Sequence, residues 1–347
     1  MNIGQGSRLW RRGGIFLLFL LLVQLSCTAQ LSDEQKFERF FHKKSPTILV
    51  TDSGLGGVSI AADVVERLKP SGLFQSARVV FFNAQPHLKS GYNRMKTTEQ
   101  KVHVFENALQ AMEKTFHPDM ILIGCNTLSV LYPYTRFASQ TQIPVVGIVR
   151  TGVKVIEQAY RKYPDAQIFI FATKTTVKQG KHKQLLVQDG IPTDHIIAQA
   201  CPGLAGRIER GPDSPETRAR VQKYVDRALE SFADTTRPIL VSLNCTHYGY
   251  VRHLFEEAFQ KRGYQVADVL DPNPYLGDFL FRTDYLHRYP ETDVSVEVYS
   301  QPVLPRQRLE NIARLIEKRS PQTAEALRQC QFTPDLFEWK SIAGDTQ

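Results

Sequence analysis

Cysteine is scarce in this sequence, and its few cysteines follow no regular spacing. There are five in 347 residues, and neither a Cys-x-x-Cys nor a His-x-x-x-His pattern occurs around them. An odd, irregular set excludes a disulfide scaffold, and the missing pairs argue against a zinc site. We therefore expect no metal.

Low-complexity segments, short repeats and a basic stripe interleaved with aromatic residues are also lacking. The formal charge of +8 predicts a mildly basic surface that attracts acidic small molecules or anionic envelopes, and no nucleic-acid partner. At 42% hydrophobic residues, the chain can fill the cores of two ordinary domains.

No hydrophobic run is long enough to span a membrane as a helix, but a short one lies near the N-terminus. Residues 15–23 are apolar and follow several arginines, the pattern of an export signal. Two processing routes are open: lipidation of Cys27 after cleavage at Ser26, or ordinary cleavage after Ala29. Gln24 is atypical of a lipoprotein signal, yet the position of Cys27 favours lipidation. We expect an exported protein, either periplasmic or a membrane-anchored lipoprotein.

Strand-like runs alternate with helical patterns from about Pro46 onward. This alternation predicts βα units with mostly parallel strands, and eight strands suggest two similar, flavodoxin-like α/β domains. A helix is predicted over 98–116 and another over 307–319 from their apolar periodicity. The predicted strands are 47–51, 78–82, 120–124, 145–148, 167–173, 195–198, 238–243 and 265–270.

The predicted organisation starts with the leader and ends with a helical extension. The predicted segments are a leader (1–27), a tether with a short helix (28–45), a first α/β domain (46–149), a second (150–248) and a return to the first with the extension (249–347).

A glycine-rich turn follows the first predicted strand. It reads Asp52-Ser53-Gly54-x-Gly56-Gly57 and should open a helix whose free N–H groups can hold an anion. It is not a dinucleotide fingerprint, because the third glycine position is Ser59. A tight βα connection would explain the glycines alone, but Asp52 at the strand end favours a ligand site.

Two cysteines lie in near-mirror settings, each directly after an apolar run. The segments are Gly124-Cys125-Asn126-Thr127 and Asn244-Cys245-Thr246-His247. Ligands bind at the carboxyl ends of strands in open α/β sheets, so both thiols are candidates for chemistry, with His247 available to assist a thiolate. Cys201 and Cys330 are expected to be inert, buried thiols.

Paired thiols suit inversion at an α-carbon, in which one removes a proton and the other delivers one. A thiol hydrolase is the alternative, but it would leave one cysteine without a task.

In these motifs the sequence resembles the cofactor-independent aspartate/glutamate racemase superfamily, and within it the glutamate racemases. The resemblance spans about residues 47–275. The matching segments are Asp52-Ser53-Gly-x-Gly-Gly, Gly124-Cys125-Asn126-Thr127, Val145-Val146-Gly147-Ile148, Ala172-Thr173-x-x-Thr176-Val177, Ala200-Cys201-Pro202 and Cys245-Thr246-His247-Tyr248.

The resemblance implies two pseudo-symmetric α/β domains with an acidic amino acid between them and no cofactor. It implies Cys125 and Cys245 as the acid/base pair, assisted by Asp52 and His247. It further implies D-amino-acid metabolism of the cell wall, and it leaves a homodimer open. The implied substrate contacts are Asp52, Ser53, Asn126, Thr127, Thr246 and His247.

Three departures from the family pattern bear on the substrate. Lys89-Ser90-Gly91 stands where Pro-Tyr-Gly is usual, so Ser90 and Gly91 are kept as candidate contacts and the tyrosine is taken as lost. Arg150 replaces an acidic residue near the expected cleft, where it is a candidate specificity residue for a more anionic substrate or would pair with Asp52 and weaken its action. Gly249-Tyr250 replaces Pro-Leu. The first two departures motivate a different class of function, an exported acidic-ligand-binding protein without turnover.

Overall fold

The computed structural model describes residues 30–343, which form two β-sheets flanked by helices. The strands are β1 Thr47–Asp52, β2 Ser76–Asn83, β3 Met120–Ile123, β4 Val145–Gly147, β5 Gln167–Ala172, β6 Ile196–Ala200, β7 Ile239–Asn244, β8 Val266–Leu270, β9 Asp293–Ser300 and β10 Gln331–Phe332.

Both sheets are parallel, and four strands of the first sheet have the same order as the four strands of the second. The first runs β10-β9-β2-β1-β3-β4 and the second β6-β5-β7-β8, and every strand pair is parallel. The run β2-β1-β3-β4 therefore corresponds to β6-β5-β7-β8, with β3 and β7 in equivalent positions. The predicted α/β class with two mostly parallel sheets is confirmed.

The helices cover both faces of the sheets, and several begin at clear capping residues. The predicted helix 98–116 is α3, where Thr97 and Gln100 form a capping box at its start. The α-helices are α1 Asp33–Phe41, α2 Val58–Leu68, α3 Thr98–Phe116, α4 Asn126–Leu131, α5 Arg136–Gln140, α6 Ile148–Lys162, α7 Lys174–Gln179, α8 Lys181–Gln188, α9 Leu204–Arg210, α10 Pro215–Leu229, α11 Arg252–Gln260, α12 Arg306–Glu317, α13 Pro321–Arg328 and α14 Lys340–Ala343.

The hydrophobic core follows the alternation of side chains along the strands. Ile48 and Val50 of β1 pack with α2, α12 and α13 on one face of the first sheet, whereas Leu49 faces the other side with α3. The same cluster continues through Ile168 and Ile170 of β5. This continuous packing fixes the carboxyl ends of the strands.

All eight predicted strands are present, but β9 and β10 lie in a region where no strand was predicted. They return the chain to the first sheet, beside β2. β8 extends the second sheet beyond residue 248, the predicted end of the second domain. Within the predicted tether, α1 packs against the body, because Phe40 is buried with its ring 5.3 Å from that of Phe74.

Within residues 30–343, no helix combines the length and the hydrophobicity needed to cross a bilayer. The predicted leader, with Cys27, lies outside the described residues, so the export prediction stays a prediction.

Candidate active site

One cavity of about 490 Å³ is lined by both candidate cysteines. Cys125 follows β3 and Cys245 follows β7, the equivalent strands of the two sheets. Their side chains are buried, at 4% and 5% exposure, and both line the cavity wall. The sheets therefore bring one thiol each to a shared chamber.

Cys125 lies against the loop that follows β1. Its Sγ is 3.2 Å from Ser53 Oγ, and it immediately precedes α4. Burial raises the pKa of the Cys125 thiol well above its ordinary value, and the negative charge of Asp52 raises it further. Cys125 is therefore a protonated thiol at neutral pH, suited to donate a proton.

Cys245 is paired with a histidine. Its Sγ lies 3.8 Å from His247 Nδ1, and Glu209 Oε1 lies 2.6 Å from His247 Nε2. Burial on its own lowers the pKa of His247, but the hydrogen bond and charge of Cys245, together with the charge of Asp52, outweigh it, so the pKa is raised. A protonated His247 stabilises a thiolate at Cys245.

Asp52 organises the glycine-rich turn and joins it to the Cys245 loop. Its Oδ2 accepts hydrogen bonds from Gly57 N at 2.6 Å and from Thr246 Oγ1 at 2.8 Å. A Cβ on Gly56 would lie 2.4 Å from Thr246 Oγ1 and 2.6 Å from His247 N. Only glycine allows the two loops to approach this closely.

Asn126 and Thr127 supply further polar groups beside Cys125. Asn126 Oδ1 lies 3.1 Å from His182 Nε2, and its buried Nδ2 has no hydrogen-bond partner among the described residues. Thr127 Oγ1 lies 2.7 Å from Thr173 Oγ1. Asn126 and Thr127 both line the cavity, so the unused amide donor is available to an anionic ligand.

A tyrosine lies in the cavity, which corrects the expectation that this contact is lost. Gly91 and Tyr92 line the wall, and Ser90 is not among the lining residues. The turn Tyr92–Arg94 directs Tyr92 inward, where the side chain is buried. Its hydroxyl has no hydrogen-bond partner within residues 30–343. The sequence order Gly91-Tyr92, rather than Tyr-Gly, concealed this residue.

Arg150 does not reach this cavity, so the expectation that it lies near the cleft is wrong. It lies on α6, whose buried face includes Val149 and Val153. Arg150 itself is exposed and lines a separate depression with Lys154 and Glu157. The helix periodicity that buries its neighbours turns Arg150 outward.

Several lining residues were not anticipated from the sequence. Glu209 of α9 and Arg308 of α12 form an ion pair, and Cys201 lines the wall as a buried thiol. Burial raises the pKa of Cys201 well above its ordinary value, and the charge of Cys245 raises it further. The described residues contain no group of three or more His, Cys, Asp or Glu side chains that could hold a metal ion.

Comparison with known families agrees with this geometry. The family model for Asp/Glu/hydantoin racemases matches residues 48–274, well over half of the chain. The protein therefore belongs to the Asp/Glu/hydantoin racemase family, and it is an isomerase of the racemase class.

Glutamate racemases are among its relatives. The one from Methylococcus capsulatus is 29% identical over 230 residues, covering 65% of this chain and 72% of the relative. The one from Nitratiruptor sp. is 25% identical over 213 residues, covering 60% and 75%.

Solved structures of glutamate racemases share the fold. The Bacillus anthracis structure has a TM-score of 0.58 at 20% identity and covers 80% of this chain and 94% of its own. The Francisella tularensis structure, a complex with D-glutamate, has a TM-score of 0.55 at 18% identity, covering 86% and 98%.

Proposed function

We propose that this protein racemises glutamate, or a close acidic amino acid, by proton transfer between two thiols without a cofactor. The observation that carries the proposal is that Cys125 and Cys245 line one cavity from equivalent strands of two separate sheets. A pocket entered by one thiol from each sheet offers an acid and a base to the two faces of one α-carbon.

The groups beside the two thiols differ, and we infer the resting state from these neighbours. Cys125 is held as a thiol by burial and by Asp52, whereas the raised pKa of His247 favours an imidazolium beside Cys245. Cys245 as thiolate then takes the α-proton, and Cys125 donates its proton to the opposite face. The products are a Cys245 thiol and a Cys125 thiolate, which is the form that runs the reverse reaction.

The cavity favours an acidic substrate. Three exposed cationic side chains, Arg94, Lys174 and Arg210, are among its lining residues and attract carboxylates by long-range electrostatics. Inside, Asn126 Nδ2 and the Tyr92 hydroxyl are buried donors without partners among the described residues. We assign Ser53, Asn126, Thr127 and Thr246 to the amino-acid head group, following the family resemblance.

The two observations that motivated the binding-protein alternative do not support it. It depended on Arg150 near the substrate and on the loss of a tyrosine, but Arg150 lines a different depression and Tyr92 lines the cavity. A thiol hydrolase remains disfavoured because it uses only one of the two cysteines.

The test is incubation with L-glutamate, L-aspartate and L-glutamine in deuterated water. We expect circular dichroism to decay and the α-proton NMR signal to disappear for one or both acids, and not for the amide. A Cys125→Ser, Cys245→Ser double variant is the matched control. If a reduced and folded wild-type protein exchanges neither acid, the proposed activity is wrong.

We also propose that the protein acts outside the cytoplasm, in remodelling or scavenging of the cell wall's D-amino acids. The support is the leader pattern around residues 15–23 and Cys27. Intact mass spectrometry of the full chain expressed in a Gram-negative host tests it. A lipidated N-terminal Cys27, or a chain beginning at Gln30, supports export, and an uncleaved Met1 contradicts it.

A further inference from the structure

Arg308 enters the cavity from outside the part of the chain that matches the family. The family model ends at residue 274, whereas Arg308 belongs to α12, in the C-terminal segment. Its side chain is 14% exposed and lines the same cavity as Cys125 and Cys245. A guanidinium this far inside a protein needs a partner.

That partner is Glu209, whose side chain is 3% exposed. Arg308 Nη2 donates to Glu209 Oε2, while Glu209 Oε1 accepts from Leu55 N at 3.1 Å and faces His247 Nε2 at 2.6 Å. A second residue of α12, Asn311, donates to the backbone carbonyl of Glu209 at 3.0 Å. The helix therefore holds both the side chain and the backbone of Glu209.

The hydrogen bond from His247 to Glu209 fixes the orientation of the imidazole ring relative to Cys245. Glu209 Oε1 accepts a hydrogen bond from Nε2–H, and the opposite ring nitrogen, Nδ1, then lies 3.8 Å from Cys245 Sγ. A buried carboxylate stays charged only when it is paired and hydrogen-bonded. Arg308 is the cation that meets this need on the side away from His247.

Arg308 reduces the excess of negative charge near the Cys245 thiolate, because it adds a second positive charge to that of the His247 imidazolium. Without Arg308, the carboxylates and the thiolate would face a single imidazolium. The titratable and charged groups that face His247 and Cys245 are Asp52 of β1, Cys201 after β6, Glu209 of α9, Tyr248 of the turn Tyr248–Val251 and Arg308 of α12.

We propose that Arg308 is a positioning residue for the racemase reaction: it keeps Glu209 ionised and in place, so that His247 is oriented and charged to stabilise the Cys245 thiolate. This inference rests on the proposed function for its kinetic part. Helix α12 thereby completes the part of the site around Cys245.

The first test needs no turnover. The alkylation rate of each cysteine by iodoacetamide is followed across pH by mass spectrometry of its peptide, in wild type, Arg308→Gln and Arg308→Lys. Removing a positive charge makes every proton of the cluster harder to lose. We expect the pH midpoint for Cys245 to rise by about one pH unit in Arg308→Gln, which is roughly a tenfold slower reaction below the midpoint, and to move less in Arg308→Lys.

Two controls separate this effect from a general disturbance. The Cys125 peptide serves as an internal reference, since its partners are Ser53 and Asp52. Arg306→Gln, an exposed position at the start of the same helix, should leave both midpoints and the activity unchanged. Equal shifts at Cys125 and Cys245, or no shift at Cys245 in a folded Arg308→Gln protein, would overturn the proposal.

The kinetic test compares α-deuterated L- and D-glutamate. Slowing proton transfer at Cys245 alone should lower kcat about tenfold with little change in KM, and should raise the deuterium isotope effect for one enantiomer only. Symmetric isotope effects in both directions contradict the assignment. A wild-type protein that racemises neither enantiomer would refute the proposed function, while the alkylation profiles would still decide the role of Arg308.

Discussion

His182 makes a contribution to stability that should decrease on mild acidification, and a single substitution should remove this pH dependence. It lies on α8, is 3% exposed, and its Nε2 lies 3.1 Å from Asn126 Oδ1. Burial lowers its pKa from 6.5 to about 4. The folded protein therefore keeps this imidazole neutral where the unfolded chain protonates it.

The size of the effect follows from the linkage between proton binding and folding. Between pH 6.5 and about 4 the unfolded state binds one more proton than the folded state, so stability falls as the pH falls through this window. Starting from pH 7, the contribution of His182 should decrease by about 2 kcal/mol at pH 5 and by about 3 kcal/mol at pH 4.

A second buried group works in the opposite direction. Burial raises the pKa of Asp271 from 3.8 to about 6, so in this range the folded state binds more protons than the unfolded state, and stability rises as the pH falls from 6 towards 3.8. In the wild-type protein, the effect of Asp271 on the pH dependence of stability therefore masks the effect of His182. Because Asp271 is common to wild type and variant, its effect cancels in their difference.

The assay is urea unfolding with a refolding check at pH 4, 5, 6 and 7, on wild type and His182→Gln. We expect the stability advantage of wild type over His182→Gln to shrink by about 3 kcal/mol between pH 7 and pH 4. His103→Gln, the same substitution at an exposed site on α3, is the matched control for the loss of a histidine. A wild-type minus His182→Gln difference that varies by less than about 0.5 kcal/mol over this range would refute the reasoning.

Three further predictions concern the site. Single Cys125→Ser and Cys245→Ser variants should each lower racemisation by about 10³-fold with unchanged circular dichroism, and activity retained in either would contradict a role for that thiol. Gly56→Ala should lower kcat/KM by about 100-fold, since its Cβ would lie 2.4 Å from Thr246 Oγ1 and separate the loops; wild-type kinetics would show that the loops tolerate it. Tyr92→Phe should raise KM without lowering the urea midpoint, because the buried hydroxyl has no partner within residues 30–343, and a lower midpoint would mean that the hydroxyl is structural.

Local patterns in the sequence predicted the frame of the site. Apolar runs ended at Cys125 and Cys245, and the end of a parallel strand is a position that periodicity and turn residues reveal. The glycines before Val58 indicated the tight loop in the same way. These signals depend only on neighbouring residues, so they can be recognised without knowledge of the tertiary structure.

Contacts between distant segments were not predictable. Glu209 is 38 residues from His247 in the sequence and 99 residues from Arg308. Glu209 and Arg308 lie among charged helical residues, which normally face solvent. The prediction for Arg150 was wrong because it used only the position of the residue beside a family motif. The periodicity of α6 turns this side chain outward, away from the cavity. β9 was missed although Val294, Val296 and Val298 alternate with polar residues, which is a strand signal.

Early product analysis in deuterated water tests the two-thiol reaction most directly. L-glutamate is incubated with wild-type protein and quenched at a few per cent conversion, and the α-deuterium content of each separated enantiomer is measured. Opposed thiols predict D-glutamate that carries solvent deuterium while the recovered L-glutamate remains protiated. D-glutamate that retains the original α-proton, or no D-glutamate from folded and reduced protein, would contradict it.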